Sequence, residues 1–214
     1  MIKKLKASIS EKILFIFLIS LGIFSFSFFF VIKNKCLFVE NVDPKKIQFN
    51  NPKNIVVMNV ECGNVIIELV PELSPNTVKR FKYLINNGSY NHSAFYKVVK
   101  DAFIQAGDLE YGNIDNINYY KVGSGHSGLG TIKSELNEKF QFEEGSVAFA
   151  RNDEFNTEDS EFFITLKEIP LYVGEYTPVG KVIYGLDALK KIKTGSKVEY
   201  VLRPDFINYI RLLN

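Results

Sequence analysis

The segment FYKVVKDAFIQAGD, residues 95–108, carries the two side chains best suited to chemistry, Lys97 and Gln105. It reads as two short strands around a two- or three-residue turn, with these residues as its polar members. An ammonium with three donors and a carboxamide with donor and acceptor capacity can hold a polar substrate by hydrogen bonds. The alternative is that both belong to the solvated face of a sheet. Other chemistries are poorly supplied. Cys36 and Cys62 show no metal spacing and no disulfide framework, and His92 and His126 are too few for a metal centre without carboxylate help. Asp153, Glu154, Glu158 and Asp159 share one polar connection, where acids are expected to be solvated, and they lack calcium-loop spacing. The run GSGHSGLG, residues 123–130, lacks the Gly-Lys-Ser/Thr ending of a phosphate loop and no helix pattern follows it, so it reads as a surface loop. No metal site is expected.

The elements that must position Lys97 and Gln105 are mostly strands. IVVMNVECGNVIIELV is two β-branched runs around Cys62-Gly63-Asn64, and Gly-Asn between such runs signals a hairpin. SPNTVKRFKYLINNG predicts a helix capped by Ser74, with Pro75 in the first turn and Gly88 at the left-handed C-terminal position. Val78, Phe81, Leu84 and Ile85 fall on one face of it. GSVAFAR, SEFFITL and TPVGKVIYG are further strands, LDALKKI is a short helix with Leu186, Leu189 and Ile192 on one side, and DFINYIRLL is a closing strand. Short strands with tight turns around few helices predict a closed or nearly closed antiparallel sheet, its ends plugged by helices. Alternating βα units are not evident.

The chain has 214 residues, 46% hydrophobic and 23% charged, with a formal net charge of +2. That balance and the lack of a basic stripe interleaved with aromatics exclude a nucleic-acid partner. ILFIFLISLGIFSFSFFFVI, residues 13–32, is twenty residues without a charge, enough for a helix of about 30 Å, the thickness of a hydrocarbon core. It is expected as an uncleaved membrane anchor after a cytoplasmic tail, 1–12. Ser25-Phe-Ser27 is a poor small-x-small site, so export after signal cleavage is the alternative. Lys3, Lys4, Lys6 and Lys12 precede the span and Lys33, Lys35, Lys45 and Lys46 follow it, so lysine counts give little orientation bias. The short tail favours an exported domain, periplasmic if the source is bacterial. Residues 33–53 read as a tether and 54–214 as the folded domain.

FYKVVKDAFIQAGD resembles the Phe-His-Arg-Val-Ile…Phe-x-x-Gln-Gly-Gly-Asp segment of the cyclophilin family of peptidyl-prolyl cis/trans isomerases. GSVAFAR is similar to its Gly-x-x-Ser-Met-Ala segment, SEFFIT to Ser-Gln-Phe-Phe-Ile, and YTPVGKVIYGLDALKKI to its Val-Phe-Gly-Lys-Val…Gly-x-x-Val run. The four pieces occur in order and cover about residues 54–210. The resemblance implies a mainly β fold, an eight-stranded antiparallel barrel capped by two helices, here behind an N-terminal transmembrane helix. It implies rotation about X-Pro bonds of proline-containing polypeptides by a monomer, without a cofactor. Carried over by position, Lys97 and Gln105 are the catalytic pair. Phe95, Ala102, Phe103, Phe149, Ala150, Phe162, Phe163, Leu171, Tyr172 and Tyr176 are the substrate-binding residues, with Phe163 as the floor of the proline pocket.

The departures from the family pattern bear on catalysis. Lys97 stands where the family has arginine, and a mobile, heavily hydrated ammonium does not replace a planar five-donor fork conservatively. Ala102 stands where the family has a pocket phenylalanine, Leu171 where many members have tryptophan, Glu161 where they have glutamine, Tyr176 for a histidine and Val179 for a phenylalanine. The expected function is a membrane-anchored isomerase assisting protein folding. A catalytically weak or inactive module that binds proline-containing segments, as a holdase or scaffold, is the alternative.

Overall fold

The computed structural model describes residues 8–195 and 200–213; the tail lysines Lys3, Lys4 and Lys6 lie outside the described residues. The chain divides into two units, Met1–Phe38 and Val39–Asn214. The first is dominated by helix α1 (Ile9–Lys33), which begins one turn ahead of the uncharged run. The reason is a capping box: Glu11 N–H donates to Ser8 Oγ and Ser8 N–H to Glu11 Oε2, satisfying two N-terminal donors that would otherwise lack partners. Its large apolar side chains from Ile9 to Val31 are exposed around the helix, Phe26 by 73%. The stretch Ile9–Val31 is long and apolar enough to cross a membrane.

The second unit begins at Val39, so residues 39–53, expected as a tether, belong with the folded domain. Asn41 Oδ1 accepts from Asn64 N–H at 3.2 Å and Val42 O accepts from Asn64 Nδ2 at 2.9 Å. Two 3-10 turns, Pro44–Lys46 and Pro52–Asn54, complete the approach to the sheet. The two cysteines, Cys36 and Cys62, are both disulfide-bonded and no free thiol remains. This corrects the expectation from spacing alone, because a disulfide depends on proximity in space rather than along the chain.

Eight strands form one antiparallel sheet: β1 (Ile55–Val60), β2 (Gly63–Leu69), β3 (Lys97–Val99), β4 (Phe103–Ala106), β5 (Ser146–Phe149), β6 (Phe162–Thr165), β7 (Pro178–Tyr184) and β8 (Tyr209–Leu212). Their spatial order is β3-β4-β6-β5-β7-β2-β1-β8. The edges β3 and β8 are joined by an irregular seam, in which His92 N–H donates to Ile207 O, Phe95 N–H to Asp205 O and Val201 N–H to Tyr96 O. The expected eight-stranded antiparallel barrel is therefore present. The β1–β2 hairpin turns one step earlier than expected: Val60 pairs with Gly63, which leaves Glu61 and Cys62 as the loop. Asn64 lies within β2 and bonds Asn59 across the pair at 2.8 Å.

Helix α2 (Pro75–Asn86) buries Thr77, Val78, Phe81, Leu84 and Ile85. Phe81 packs on Tyr90, Phe149 and Phe162 at ring separations of 5.3, 6.0 and 5.2 Å, closing one end of the barrel. Gly88, at φ +69°, supports the two C-terminal bonds Gly88 N–H to Ile85 O and Ser89 N–H to Leu84 O, a conformation that glycine adopts without a Cβ penalty. The N-terminus departs from expectation. Ser74 makes no side-chain cap and instead donates its hydroxyl to Pro178 O. The cap comes from Glu135, whose carboxylate accepts from Asn76 N–H at 3.2 Å and from Thr77 N–H at 2.8 Å. The second capping helix, α3 (Leu186–Leu189), is a single turn that buries Ala188 and Leu189. A helix cap worth about 1–2 kcal/mol should disappear in Glu135→Ala. Urea unfolding should show that loss, and an unchanged midpoint would remove Glu135 from this role.

Candidate active site

Register places the candidate residues in one line across the sheet. Lys97 pairs with Gln105, Gln105 with Phe163, and Phe163 with Ala148. Residues directly paired in an antiparallel sheet project to the same face, so this row of four presents together. The adjacent row, Ala106–Phe162–Phe149, is one residue further along each strand and faces the opposite way.

Around Phe163 the first row is walled by aromatic rings. Phe163 itself is 3% exposed, and Phe142, Ala148 and Ala150 are buried with it. Tyr176 lies edge-on to Phe163 at 5.0 Å, Tyr172 at 5.5 Å and Phe103 at 5.7 Å, and Phe142 stacks at 6.3 Å. The result is an apolar box, with Lys97 Nζ 5.6 Å from the centre of the Phe103 ring, a cation–π distance. The cleft above the box has a volume of about 350 Å³ and includes Lys97, Gln105, Arg151 and Tyr200 in its lining. The Arg151 guanidinium lies over the Tyr176 ring, 5.0 Å from its centre. Its guanidinium donates to Glu175 O, Asn152 O and Asp153 O and pairs with the Glu175 carboxylate at 3.1 Å.

Beneath Gln105 is a compact polar network. Gln105 Nε2 donates to Tyr96 Oη at 2.6 Å and to Glu161 Oε2 at 3.0 Å, and the Tyr96 hydroxyl donates to the same Oε2 at 2.7 Å. Glu161 Oε1 is buried and has no hydrogen-bond partner among the described residues. Burial raises the Glu161 carboxyl to about 7; nearby Asp108 pushes the same way, while Tyr96, Gln105 and Lys97 oppose it. Tyr96 is held well above its ordinary range by burial and then by Glu161.

The cleft's far wall is held by buried carboxylates; of the four acids expected to be solvated, Asp153 and Glu154 are exposed, whereas Glu158 and Asp159 are not. Asp108 is 1% exposed; its Oδ2 accepts from Gly123 N–H at 2.6 Å and Gly125 N–H at 3.1 Å. A Cβ at Gly125 would lie 2.0 Å from Asp108 Oδ1, so this loop needs glycine for close approach. Glu158 and Asp159 are also buried. Glu158 accepts from the Thr177 and Ser134 hydroxyls, and Asp159 pairs with Arg80 at 2.8 Å.

The structure thus brings Lys97, Gln105, Phe103, Ala150, Phe163, Tyr172 and Tyr176 together. Phe149 and Phe162 are fully buried against Phe81 in the barrel interior, because they belong to the inward row. Phe95 is fully buried too; its segment pairs with the seam rather than extending β3, and Tyr96 reaches the cleft instead. Ala102 occupies the β3–β4 turn, donating to Val99 O and accepting from Leu166 N–H, so the box receives Phe103. Leu171 is 84% exposed, and its neighbour Tyr172 faces the box. Sequence reasoning did not select Phe142, Tyr96 or Arg151 for the site. Phe140 and Phe142 stand at alternating positions in FQF, which was the available signal.

Residues 55–211 match the family model described as cyclophilin type peptidyl-prolyl cis-trans isomerase/CLD. The chain belongs to the cyclophilin family. A Brucella suis protein named "Probable peptidyl-prolyl cis-trans isomerase" is 39% identical over 160 residues, covering 73% of this chain and 81% of that protein. An Arabidopsis thaliana protein named "Peptidyl-prolyl cis-trans isomerase CYP18-2" is 28% identical over 141 residues, covering 64% and 79%. A crystal structure of a Cryptosporidium parvum cyclophilin in the presence of the dipeptide Ala-Pro superposes with a TM-score of 0.65 at 25% identity, covering 75% of this chain and 99% of that one. As a cyclophilin, this chain is a peptidyl-prolyl isomerase with a glutamate beneath its cleft.

The Glu161 shift links stability to pH. Its folded value lies above the ordinary 4.5, so the unfolded chain releases this proton first as pH rises. The stabilisation is complete below 4.5 and is lost as pH climbs through about 7. Glu161→Gln should therefore match the parent near pH 4.5 and be more stable by on the order of 2 kcal/mol at pH 8. Thermal unfolding of both proteins across that range checks this, and a constant difference would contradict the buried-carboxyl assignment.

Proposed function

We propose that this cyclophilin acts on proline-containing segments of exported polypeptides, as a monomer tethered by α1, with Lys97 as the catalytic donor. The observation that carries the reading is the Lys97–Gln105–Phe163 row beside the aromatic box. An X-Pro bond rotates against a barrier of roughly 18–20 kcal/mol set by amide resonance. At the twisted geometry resonance is lost and the prolyl nitrogen becomes a better hydrogen-bond acceptor. The box formed by Phe103, Phe142, Phe163, Tyr172 and Tyr176 takes the proline ring. Gln105 holds the adjoining substrate backbone, and the Lys97 ammonium donates toward the prolyl nitrogen. That donation favours the twisted form over either planar form, and only such differential stabilisation accelerates the step.

Two further features support the location. A helix with an uncharged run of twenty residues and apolar side chains exposed around it is stable in lipid. The disulfide-bonded state of Cys36 and Cys62 supports an oxidising compartment, since structural disulfides are rare in the cytosol. We therefore assign the domain to the non-cytoplasmic side, periplasmic in a bacterial source, with α1 as a permanent anchor.

Exchange spectroscopy of an Ala-Pro peptide with the detergent-solubilised chain tests the chemistry. Lys97→Ala should lower catalysed exchange by about tenfold to a hundredfold, or roughly 1.4 kcal/mol per tenfold. Lys97→Arg, restoring a rigid fork, should raise it. Peptide binding without faster exchange would favour the holdase reading instead. Anchoring predicts retention in the membrane fraction after carbonate washing, and release of a shortened form would indicate cleavage.

A further inference from the structure

Glu161 is a cyclophilin-site residue that the reaction as described leaves unused, although it touches both members of the proposed catalytic pair by contact or by field. Its Oε2 accepts from Gln105 Nε2 and from the Tyr96 hydroxyl. A planar carboxamide tied down through its nitrogen must point its oxygen the other way, so Gln105 Oε1 is turned from the network as an acceptor. The other carboxyl oxygen, Oε1, is buried without a hydrogen-bond partner among the described residues. An ionised oxygen in that setting bears the desolvation cost of an unmet acceptor. A proton on Oε1 removes the buried charge, the larger part of that cost, and leaves the bonds to Oε2 intact.

We propose that Glu161 is the positioning residue of this site, orienting the Gln105 carboxamide and, through its charge, restraining the Lys97 ammonium, so that isomerisation is fastest while the carboxyl is neutral. The inference rests on the reading that Lys97 and Gln105 act on the substrate. An ionised Glu161 attracts the ammonium and opposes donation to the prolyl nitrogen; a neutral one exerts no such pull. Glutamine at this position would supply the same acceptor without the charge.

Several ionisable groups face Glu161 from the surrounding elements. Lys97 and Tyr96 lie on the β3 side, Asp108 follows β4, and Tyr90 precedes β3, each coupled electrostatically to it. Across the adjoining cleft wall stand His126, Arg151 and Asp159. Asp159 is held by Arg80, and Arg151 by Glu175, and His126 Nδ1 lies 4.0 Å from the Asp159 carboxylate. Burial places the Glu161 transition at about 7.

The experiment uses the detergent-solubilised full chain, exchange spectroscopy with an Ala-Pro peptide from pH 5.5 to 8.5, and side-chain NMR of Gln105 and Glu161. Catalysed exchange by the parent should fall about fivefold as pH rises through 7. Glu161→Gln should abolish the step and exceed the parent at pH 8. Glu161→Met, which removes the acceptor of both the Gln105 and the Tyr96 bonds, should abolish the step but raise KM by about threefold or more, through the loss of the bond that holds Gln105. His126→Gln should keep the step. A flat parent profile, or a step that survives in Glu161→Gln, overturns the proposal. If the parent fails to accelerate exchange at any pH, the Lys97–Gln105 reading fails. The Gln105 amide resonances then decide the positioning role alone: a shift near pH 7 that vanishes in Glu161→Gln supports it, and its absence overturns it.

Discussion

The site depends on the register of four neighbouring strands. Lys97, Gln105, Phe163 and Ala148 form one transverse row, and side-chain direction alternates with a period of two along every strand. A slip of one residue in β4 or β6 would send Gln105 or the ring of Phe163 into the barrel and bring Ile104 or Phe162 out. The polar function and the apolar core therefore share one constraint. The inward row with Phe149 and Phe162, packed beneath Phe81, is what keeps the outward row aligned.

A second layer of control comes from carboxylates acting over long sequence separations. Glu135 caps α2, Asp108 gathers the loop at Gly123 and Gly125, and Asp159 joins Arg80 to Ser127 N–H. Each satisfies backbone donors in segments that have no strand partner, which is the condition for burying irregular chain. The long stretch between β4 and β5 is thereby fixed as a wall of the cleft. Glu161 differs from this group because one of its oxygens is left unmet, and that difference places a titrating carboxyl beside the groove.

A lysine where the family pattern has arginine, beside rings redistributed around the pocket, sets this cleft apart from that pattern. The box keeps its aromatic character through Phe103, Phe142 and Tyr172 although Ala102 and Leu171 contribute no ring. Lysine reaches the same edge of the box with one mobile donor group, so its placement depends more on nearby charge than a forked guanidinium would. A buried acid within its field matters correspondingly more.

The fold class, the α2 boundaries with Gly88 as terminator, the apolar span and the strand–turn–strand carrying Lys97 and Gln105 were legible in the sequence, because periodicity, turn residues and strand alternation are local signals. Family resemblance added the barrel and the reaction. Other features were set by contacts between distant segments. The cap on α2 came from Glu135 rather than Ser74, the expected solvated acids Glu158 and Asp159 were buried, and Phe95, Phe149 and Phe162 turned inward while Tyr96 and Phe142 joined the site. Local pattern specifies which residues share a face, but only the closed sheet decides which face is core and which distant side chain meets an open backbone donor.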